Sequence, residues 1–428
     1  MIRGLESYFD RLWPICRSIT GPGFRESLAI LSELVPFKRL RFASAREALD
    51  WTVPPEWRAR KAYLLDPQGR KRADFSKNNL HLLNFSAPFK GVMPLKDLKK
   101  HLYTLPGQPK AIPYLTSYYK RRWGFCMTHE EYLALPEGLY TVVVDTKIKN
   151  GYLDIGEAVL PGRSQEEVLF SSYLCHPSLA NNELSGPLAL AFLYQKIAAM
   201  PKRNFTYRFA IMPETIGAVC YLSMRGDHLK RWMTAGYTMT CLADPGHFHY
   251  KKSRQGNSLA DLTAQIVLKK FGKHTVLDFD PSSGSDERQY CSPGFNLPVG
   301  SLLRTPYGRY AEYHTSLDNK KFISFKALRQ SVEAYHAIVK RLETREIWKN
   351  TVLYGEPQLG KRGLYPMLGS QKAPNHNTAR MLWLLNLADG TRDLRQIAEE
   401  SRQPLAALAS MARDLEKAGL IKKISGRF

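Results

Sequence analysis

The stretch VLFSSYLCHP, residues 168–177, is an apolar run of strand length that ends in a polar pair, Cys175-His176. It is followed by ANNELSG at 180–186 and by an apolar helical pattern over 187–200. Two later apolar runs, 207–212 and 238–243, predict further strands of the same kind. Alternation of such strands with helices predicts a three-layer α/β fold around a largely parallel or mixed sheet.

Polar side chains follow these strands closely. His176 follows the first strand, Glu214 the second and Asp244 the third, and a Tyr-His-Thr sequence brings His314 later. Ligands bind beyond the carboxyl ends of strands in open α/β sheets, so these residues are expected to converge. Imidazole and carboxylate ligands from separate loops suit a catalytic zinc with one open position, and a neighbouring glutamate can take a proton from water. Singly, each residue is better explained as a hydrogen-bond partner, a cap or a turn residue, but together they favour a metal site.

Local composition divides the chain into four parts. Residues 1–44 and 151–350 carry the pattern of the α/β core, and residues 45–150 carry short β-like pieces that predict a β-rich insert. Residues 351–374 are rich in Gly and Pro and predict a linker. Residues 375–428 show the order of elements of a winged helix-turn-helix.

Single elements are predicted within these parts. Residues 1–36 are expected to be helical, with a break at Gly21-Pro22-Gly23, and the insert has strand-like pieces at 62–65, 80–85 and 139–144. The C-terminal part is expected to hold helices at 380–387, 394–400 and 405–418 and a strand at 420–424.

The chain of 428 residues is strongly basic, with 62 Lys and Arg against 39 Asp and Glu, a formal net charge of +23. Such an excess raises the question of nucleic acid. The excess is spread out, however: residues 375–428 carry nine basic and six acidic side chains, and the helix predicted at 405–417 carries two of each. Because phosphate contact needs several cations on one face, nucleic acid is not the expected partner, and the surplus is explained by solvated surface or by acidic substrates.

Compartment is predicted from the cysteines and from the N-terminal sequence. The six cysteines lie far apart without a CxxC pair, which favours reduced thiols in the cytoplasm over a disulfide framework. Charged residues interrupt the N-terminal stretch, and no run reaches the length of a membrane span, so neither a signal peptide nor a membrane partner is expected.

The strand-end segments also resemble those of the co-catalytic zinc aminopeptidases. The order His, ANNELSG, PETIG, Asp, YHT in this chain is similar to their order His, A-D-D-N-x-S-G, E-E-x-G, Asp and a C-terminal His. A more specific resemblance, over nearly the whole chain, is to a bacterial aminopeptidase-like family of phosphorylase/hydrolase-like fold with a β-rich insert and a C-terminal winged helix. The motifs that carry it are Arg17-Ser18-Ile19-Thr20-Gly21, Cys175-His176-Pro177, Pro213-Glu214-Thr215-Ile216-Gly217, Gly284-Ser285-Asp286-Glu287-Arg288-Gln289-Tyr290 and Glu356-Pro357-Gln358-Leu359-Gly360.

The resemblance implies a role for several of these residues. His176 matches a ligand of one zinc with Asp244 as its carboxylate partner, and His314 matches the ligand of the other zinc. Glu214 matches the general base. Relatives of this kind are linked by resemblance to surface-polysaccharide or secondary-metabolite biosynthesis.

Two departures from the pattern remove anionic ligands. Asn182 occupies the position of the metal-bridging Asp, and Thr215 occupies the position of a ligating Glu. A neutral amide oxygen bridges two cations poorly, so one metal or none is predicted. The expected single-zinc site consists of His176, Asp244 and His314, with Asn182 as a weak oxygen ligand and Glu183 as a substitute for it.

The segment 284–290 lies where related enzymes shape the substrate pocket. Asp286 is a candidate to receive a substrate amine and Arg288 to bind a carboxylate, and Glu287 is included with them as a substrate-binding residue. An alternative reading, a structural ion pair, is equally open.

Taken together, these features predict a zinc-dependent amide or peptide hydrolase of aminopeptidase type. Its substrate is expected to be a small peptide or an aminoacyl-type amide, acidic ones included. The winged helix is expected to dock a protein partner or a second copy of the chain. The alternative function is a non-catalytic or regulatory binding protein on a degenerate aminopeptidase fold, with the winged helix as its interaction or DNA-binding module.

Overall fold

The structure is a computed structural model that describes residues 4–364 and 376–424. It forms two compact units, residues 1–339 and residues 340–428. Its architecture is mixed α/β with a large central sheet, as predicted. The strands are β1 (Lys38–Ala43), β2 (Glu47–Ala48), β3 (Trp51–Thr52), β4 (Glu56–Leu65), β5 (Lys71–Arg72), β6 (Phe89–Pro94), β7 (Leu102–Tyr103), β8 (Phe125–Cys126), β9 (Leu139–Lys149), β10 (Tyr152–Leu160), β11 (Glu167–Tyr173), β12 (Thr206–Met212), β13 (Met233–Thr238), β14 (Phe248–Lys251), β15 (His274–Leu277), β16 (Val299–Leu303), β17 (Ile347–Asn350), β18 (Asp389–Asp393) and β19 (Ile421–Ile424). The helices are α1 (Leu5–Leu12), α2 (Pro22–Leu31), α3 (Leu95–Leu98), α4 (His129–Leu133), α5 (Ser185–Ala198), α6 (Ile216–Trp232), α7 (Leu259–Leu268), α8 (Glu287–Tyr290), α9 (Phe325–Glu343), α10 (His376–Leu387), α11 (Leu394–Ser401) and α12 (Leu405–Lys417).

The central sheet of the first unit has eight strands in the order β1-β10-β12-β11-β13-β16-β14-β15. Its middle strands, β12, β11, β13 and β16, are parallel to one another. The outer strands β1 and β10 run antiparallel, as does β14 against β16. Strand β11 is buried along its whole length, as expected for the centre of a sheet that is covered on both faces. The carboxyl ends of β11, β12 and β13 therefore lie side by side.

One predicted strand is displaced. The run 238–243 was expected to form a strand, but β13 ends at Thr238 and the residues after it form a loop. That loop is buried, and Cys241 has a φ of 51°, a left-handed conformation that cannot continue a strand. Its apolar side chains therefore fill the space beyond the end of the sheet, and Asp244 lies further from the strand end than the sequence predicts.

The insert is built on a four-stranded sheet in the order β5-β4-β9-β6. Strands at 62–65 and 139–144 are confirmed within β4 and β9, but the strand expected at 80–85 is wrong. There the Asn78 side chain accepts a hydrogen bond from the Leu80 N–H and begins a short 3₁₀ turn. The apolar residues of this segment are buried by packing rather than by strand pairing. Insert and central sheet share one continuous hydrophobic core that includes Leu64, Val142, Ile155 and Met212.

The second unit contains α10, α11 and α12 and a three-stranded sheet in the order β18-β17-β19. The three helices and the closing strand are confirmed. Strand β18 includes Asp389, Gly390 and Thr391, which precede the second helix, and it pairs with β17. Residues 351–364 of the predicted linker are described here, and Leu359 is buried in the core of this unit. The rest of that predicted linker up to residue 374, with its Gly369 and Pro374, lies outside the described residues.

No helix in the described part of the chain is long and apolar enough to cross a membrane.

Candidate active site

The segment ANNELSG forms a single π-helical turn, Ala180–Leu184, that leads into α5. Turns of this kind occur often at functional sites because they re-aim side chains. The Asp318 carboxylate accepts hydrogen bonds from the N–H groups of Asn181 and Asn182 at 2.7 and 2.9 Å. Burial raises the pKa of Asp318 to about 7. These bonds fix the start of the turn and with it the position of the Asn182 side chain.

His176 follows β11 and is held in place by Glu183. Its Nδ1 lies 2.8 Å from Glu183 Oε2, and both side chains are buried. Burial disfavours the charged ring, but Cys175 and Glu183 outweigh it and raise the pKa of His176 well above its ordinary value. Arg17 lies behind the pair, with its Nε 3.2 Å from the His176 carbonyl oxygen and 3.9 Å from Glu183 Oε1. The other ring nitrogen, Nε2, therefore points away from this support.

Glu214 lies between β12 and α6 and faces that nitrogen. Its Oε2 is 3.5 Å from His176 Nε2, and Ser285 Oγ donates to its Oε1 at 2.6 Å. The Glu214 side chain is 26% exposed, so solvent reaches it. Thr215 beside it has a φ of 61°, and its N–H donates to Asp286 Oδ1 at 2.7 Å. Strained backbone of this kind is retained where surrounding contacts hold a side chain in a required direction.

Several buried side-chain atoms of the described site residues have no hydrogen-bond partner. They include Nε2 of His314, Oδ1 of Asn182, Oε1 of Glu183 and Oδ2 of Asp286. The His314 ring packs 5.3 Å from the His176 ring, and Tyr114 packs against both. Burial lowers the pKa of His314 to about 3, so its ring is neutral and able to bind a metal. Unpartnered acceptors in the interior are rare, and an ion is one of their ordinary explanations.

Asp244, by contrast, is fully engaged in hydrogen bonds with the protein. It accepts from the Asn181 side-chain amide, from the N–H groups of Gly246 and Thr305 and from the Thr305 hydroxyl, at 2.6 to 3.1 Å. A second hydrogen bond joins the two residues, since Asn181 Oδ1 accepts from the Asp244 N–H. The Asp244 carboxylate therefore has little capacity left for an ion.

A compact ligand group is present, but it is not the predicted one. Within the described residues, Cys175, His176 and Glu183 are the one set of three His, Cys, Asp or Glu side chains whose ligand atoms all lie within 4.8 Å. The 2.8 Å separation of His176 and Glu183 is a hydrogen-bond distance, so this set orients the ring. Among the residues that the structure describes, the predicted ligands His176, Asp244 and His314 do not form such a set. His314 and Asn182 would be neutral donors, which fits one metal ion better than two.

The predicted substrate-binding residues have different surroundings. Asp286 is 1% exposed, and burial followed by the nearby Glu214 raises its pKa well above the ordinary value. Glu287 is buried and pairs with Lys251 at 3.0 Å, which is the structural ion pair considered as the alternative. Arg288 is partly exposed, and its Nε lies 3.4 Å from the Ser285 carbonyl oxygen. The two carboxylates are thus buried, and the partly exposed Arg288 is not among the residues that line the pocket beside Glu214.

Four residues of the site were not assigned a role from the sequence. Arg17, Cys175 and Ser285 lie within the family-like motifs, so the motifs carried a signal for them. Tyr114 lies in the insert, outside any motif. Its N–H donates to the His314 carbonyl oxygen at 2.8 Å, a contact across 200 residues that local pattern cannot reveal.

The site opens into a pocket of about 490 Å³. The insert and the core both line it. The insert contributes Trp51, Tyr114, Leu115, Thr116, Tyr118 and Tyr119, and the core contributes residues that include His176, Glu214 and His314. Its size is that of a small-molecule site.

Comparison with known proteins identifies the family. Residues 7–345 match the model of a family described as a domain of unknown function, DUF4910. The chain belongs to this family. Residues 346–423 match a winged helix-turn-helix family. A Clostridium acetobutylicum protein provisionally named a polysaccharide biosynthesis protein with an aminopeptidase-like domain is 39% identical over 98% of this chain and 96% of its own.

Solved structures show what the DUF4910 fold is similar to. The crystal structure of a protein from Clostridium acetobutylicum, provisionally described as a peptidase, has a TM-score of 0.83 and 37% identity over 98% of this chain and 96% of its own. A zinc aminopeptidase from Bacillus subtilis has a TM-score of 0.57 at 12% identity, over 79% of this chain and 95% of its own. A peptidase M28 precursor from Shewanella amazonensis has a TM-score of 0.54 at 14% identity, over 78% and 91%. These two distant likenesses show an aminopeptidase-like fold.

Proposed function

We propose that this protein is a metal-dependent amide or peptide hydrolase of aminopeptidase type that works with a single zinc ion. Its substrate is a small peptide or an aminoacyl-type amide. The observation that carries the proposal is the pair of buried atoms without a hydrogen-bond partner, His314 Nε2 and Asn182 Oδ1, together with the partly exposed carboxylate of Glu214 at 3.5 Å from His176 Nε2. The aminopeptidase-like fold supports it.

The ion would be held by His176 Nε2, which would release its proton to solvent when the metal binds, and by His314 Nε2 and Asn182 Oδ1. When bound, zinc supplies a Lewis acid and makes water more acidic near neutral pH. Asp244 then acts through Asn181, which it holds against the loop after β13, and does not ligate the metal itself.

The remaining groups transfer a proton or orient the side chains of the site. Glu214 accepts the proton of the attacking water and returns it to the leaving amine. The Ser285 hydroxyl occupies the other oxygen of Glu214 and so fixes the direction in which the free oxygen points. Glu183 holds His176 so that Nε2 faces the pocket.

The test is Glu214→Gln on the full chain. Turnover of aminoacyl 4-nitroanilides should fall at least about 100-fold, because general-base catalysis contributes about 10²–10⁴-fold, while about one zinc per chain is retained. Glu137→Gln, at an exposed position outside the site, is the matched control and should keep the parent rate. His176→Ala should lose the metal. A native protein that purifies without metal, or a Glu214→Gln variant as fast as the parent, contradicts the proposal.

A second candidate function is a non-catalytic binding protein on the same fold. It is favoured by one observation: the carboxylate expected to ligate, Asp244, is used up in hydrogen bonds. This candidate predicts that the chain binds a small amide in the pocket and never cleaves it.

We infer a cytoplasmic location. All six cysteines are free, and five of them are buried, which suits a reducing compartment.

A further inference from the structure

Three large apolar side chains stand exposed at the mouth of the active-site pocket. Trp51 is 39% exposed, Leu115 38% and Tyr119 53%. All three come from the insert, and the buried Ile19 and Ile216 line the same pocket. Single exposed apolar residues are normal on a protein surface, but a group that lines one pocket marks a binding site.

Contacts within the protein hold the Trp51 and Tyr119 rings in place at the mouth of the pocket. Trp51 begins β3, the second strand of a tight hairpin, and its ring meets the Tyr119 ring edge to face at 5.9 Å. The Tyr119 hydroxyl donates to the Thr52 carbonyl oxygen at 3.1 Å, which ties the two segments together. Tyr119 has a φ of 62°, an uncommon conformation for a bulky residue. The two rings are therefore held in fixed positions while their outer surfaces stay open.

The charged side chains that line the pocket limit the class of ligand that it can bind. The thirteen residues that line the pocket, all of them described, include no Lys or Arg. Glu214 is the carboxylate among them. At the mouth itself, Trp51, Leu115 and Tyr119 offer no cationic side chain that could pair with a carboxylate on the ligand. The basic surplus of the chain does not reach this pocket.

We propose that Trp51, Leu115 and Tyr119 form a subsite for a large, uncharged, apolar or aromatic side chain next to the scissile amide. This inference rests on the proposed hydrolase function. It assigns the choice of substrate to the insert rather than to the core, and it disfavours acidic side chains, which would lose their hydration against three apolar side chains. Pairing of a ligand ring with the Trp51 and Tyr119 rings adds edge-to-face contacts to the burial of apolar area.

The kinetic test uses 4-nitroanilides of Phe, Leu, Ala and Asp with the full-length, metal-loaded protein. The Phe and Leu substrates should exceed the Ala substrate about 10- to 100-fold in kcat/KM, and the Asp substrate should be the poorest. Trp51→Ala should lower kcat/KM for Phe about tenfold, and should leave the value for Ala within about twofold. Trp51→Phe should restore most of the loss. Trp383→Ala, at another exposed tryptophan outside the pocket, is the matched control.

A binding measurement separates failure of the subsite from failure of the hydrolase. Phenylalaninol and alaninol have no amide to cleave, and calorimetry on the full chain should show tighter binding of phenylalaninol, lost in Trp51→Ala. This result would support the subsite even if every anilide stayed intact, and only the proposed function would then fail. Equal losses on Phe and Ala in Trp51→Ala, preference for Asp, or binding of methyl glucopyranoside in place of phenylalaninol would overturn the inference.

Discussion

At the scale of single residues, the orientation of the site side chains depends on residues that do not line the pocket. His176 and Glu214 face the pocket, but their directions are set by Glu183 and Ser285, which do not reach it. Arg17 adds a further layer beneath Glu183, and its side chain is buried. Such supporting contacts decide how well a histidine binds a metal.

Glu183→Gln tests this support. The variant keeps the shape of the side chain but replaces the carboxylate that orients His176, so zinc affinity should fall about 10- to 100-fold. Competition with a chromophoric chelator gives the affinity. Glu130→Gln, at an exposed glutamate on α4, is the control and should bind zinc as the parent does. If Glu183→Gln is folded and its affinity is unchanged, the role assigned to Glu183 is wrong.

At the scale of elements, sequence patterns located most of the core. Strands β11 and β12 and helix α5 were predicted because long apolar runs have few alternatives in a buried sheet. The loop after β13 was taken for a strand because its apolar side chains pack beyond the sheet. A local hydrophobic pattern indicates that side chains are buried, but it does not indicate which strands pair with each other.

The candidate site was predicted in the same uneven way. The positions of His176 and Glu214 follow from strand ends, which local pattern gives. The saturation of Asp244 by Asn181 and Thr305 and the packing of Tyr114 against His314 depend on contacts between distant segments. Those contacts have no signature in either segment alone.

The glycine of the ANNELSG segment is required by the packing of α5. A Cβ on Gly186 would lie 2.1 Å from the Met239 carbonyl oxygen, so Gly186→Ala must push the helix away from the loop after β13. The expected cost is about 1–3 kcal/mol of stability, as for other overpacked cores. Thermal or urea unfolding measures it. Gly107→Ala, where nothing lies within 4 Å of the new methyl group, is the matched control. Equal stability of the two variants would contradict the packing argument.

The stability of helix α11 depends on its N-cap residue, Asp393. Asp393 accepts from the N–H groups of Arg395 and Gln396 and pairs with Arg341 at 2.6 Å and Arg345 at 3.2 Å. Burial alone would raise the pKa of Asp393, but Arg341 and the other partners outweigh burial and lower the pKa.

Asp393→Asn should therefore destabilise the second unit by about 3 kcal/mol, since it removes the buried carboxylate that pairs with Arg341 and Arg345. The lowered pKa means that this contribution is complete above the ordinary carboxyl pKa near 4 and is lost as pH falls through the folded-state value. Hydrogen exchange of α11 at pH 7 measures the loss, and the gap between parent and variant should narrow in acid. Asp414→Asn, at an exposed position on α12, is the control. A gap that widens in acid would contradict the assignment.

At the scale of the whole molecule, the charge of +23 and the winged helix together raise the question of DNA. Helix α12 carries two basic and two acidic side chains, so it lacks the cationic face that phosphate contact requires. We propose that the second unit docks a protein or a second copy of the chain. Fluorescence anisotropy with duplex DNA should show no binding at about 150 mM salt, and Arg413→Glu should not alter any residual binding at low salt. Tight binding that falls steeply with salt and is lost in Arg413→Glu would overturn this view.

The pairing of the insert with the loop that carries His314 has a consequence for how the protein is made. Ile112 and Tyr114 bond to the backbone and side chains of residues 314–316, and the left-handed φ of 54° at His314 occurs where they meet. During translation the insert leaves the ribosome some 200 residues before its partner does. A chain that ends before residue 314 thus contains the residues of the pocket mouth but cannot complete the site.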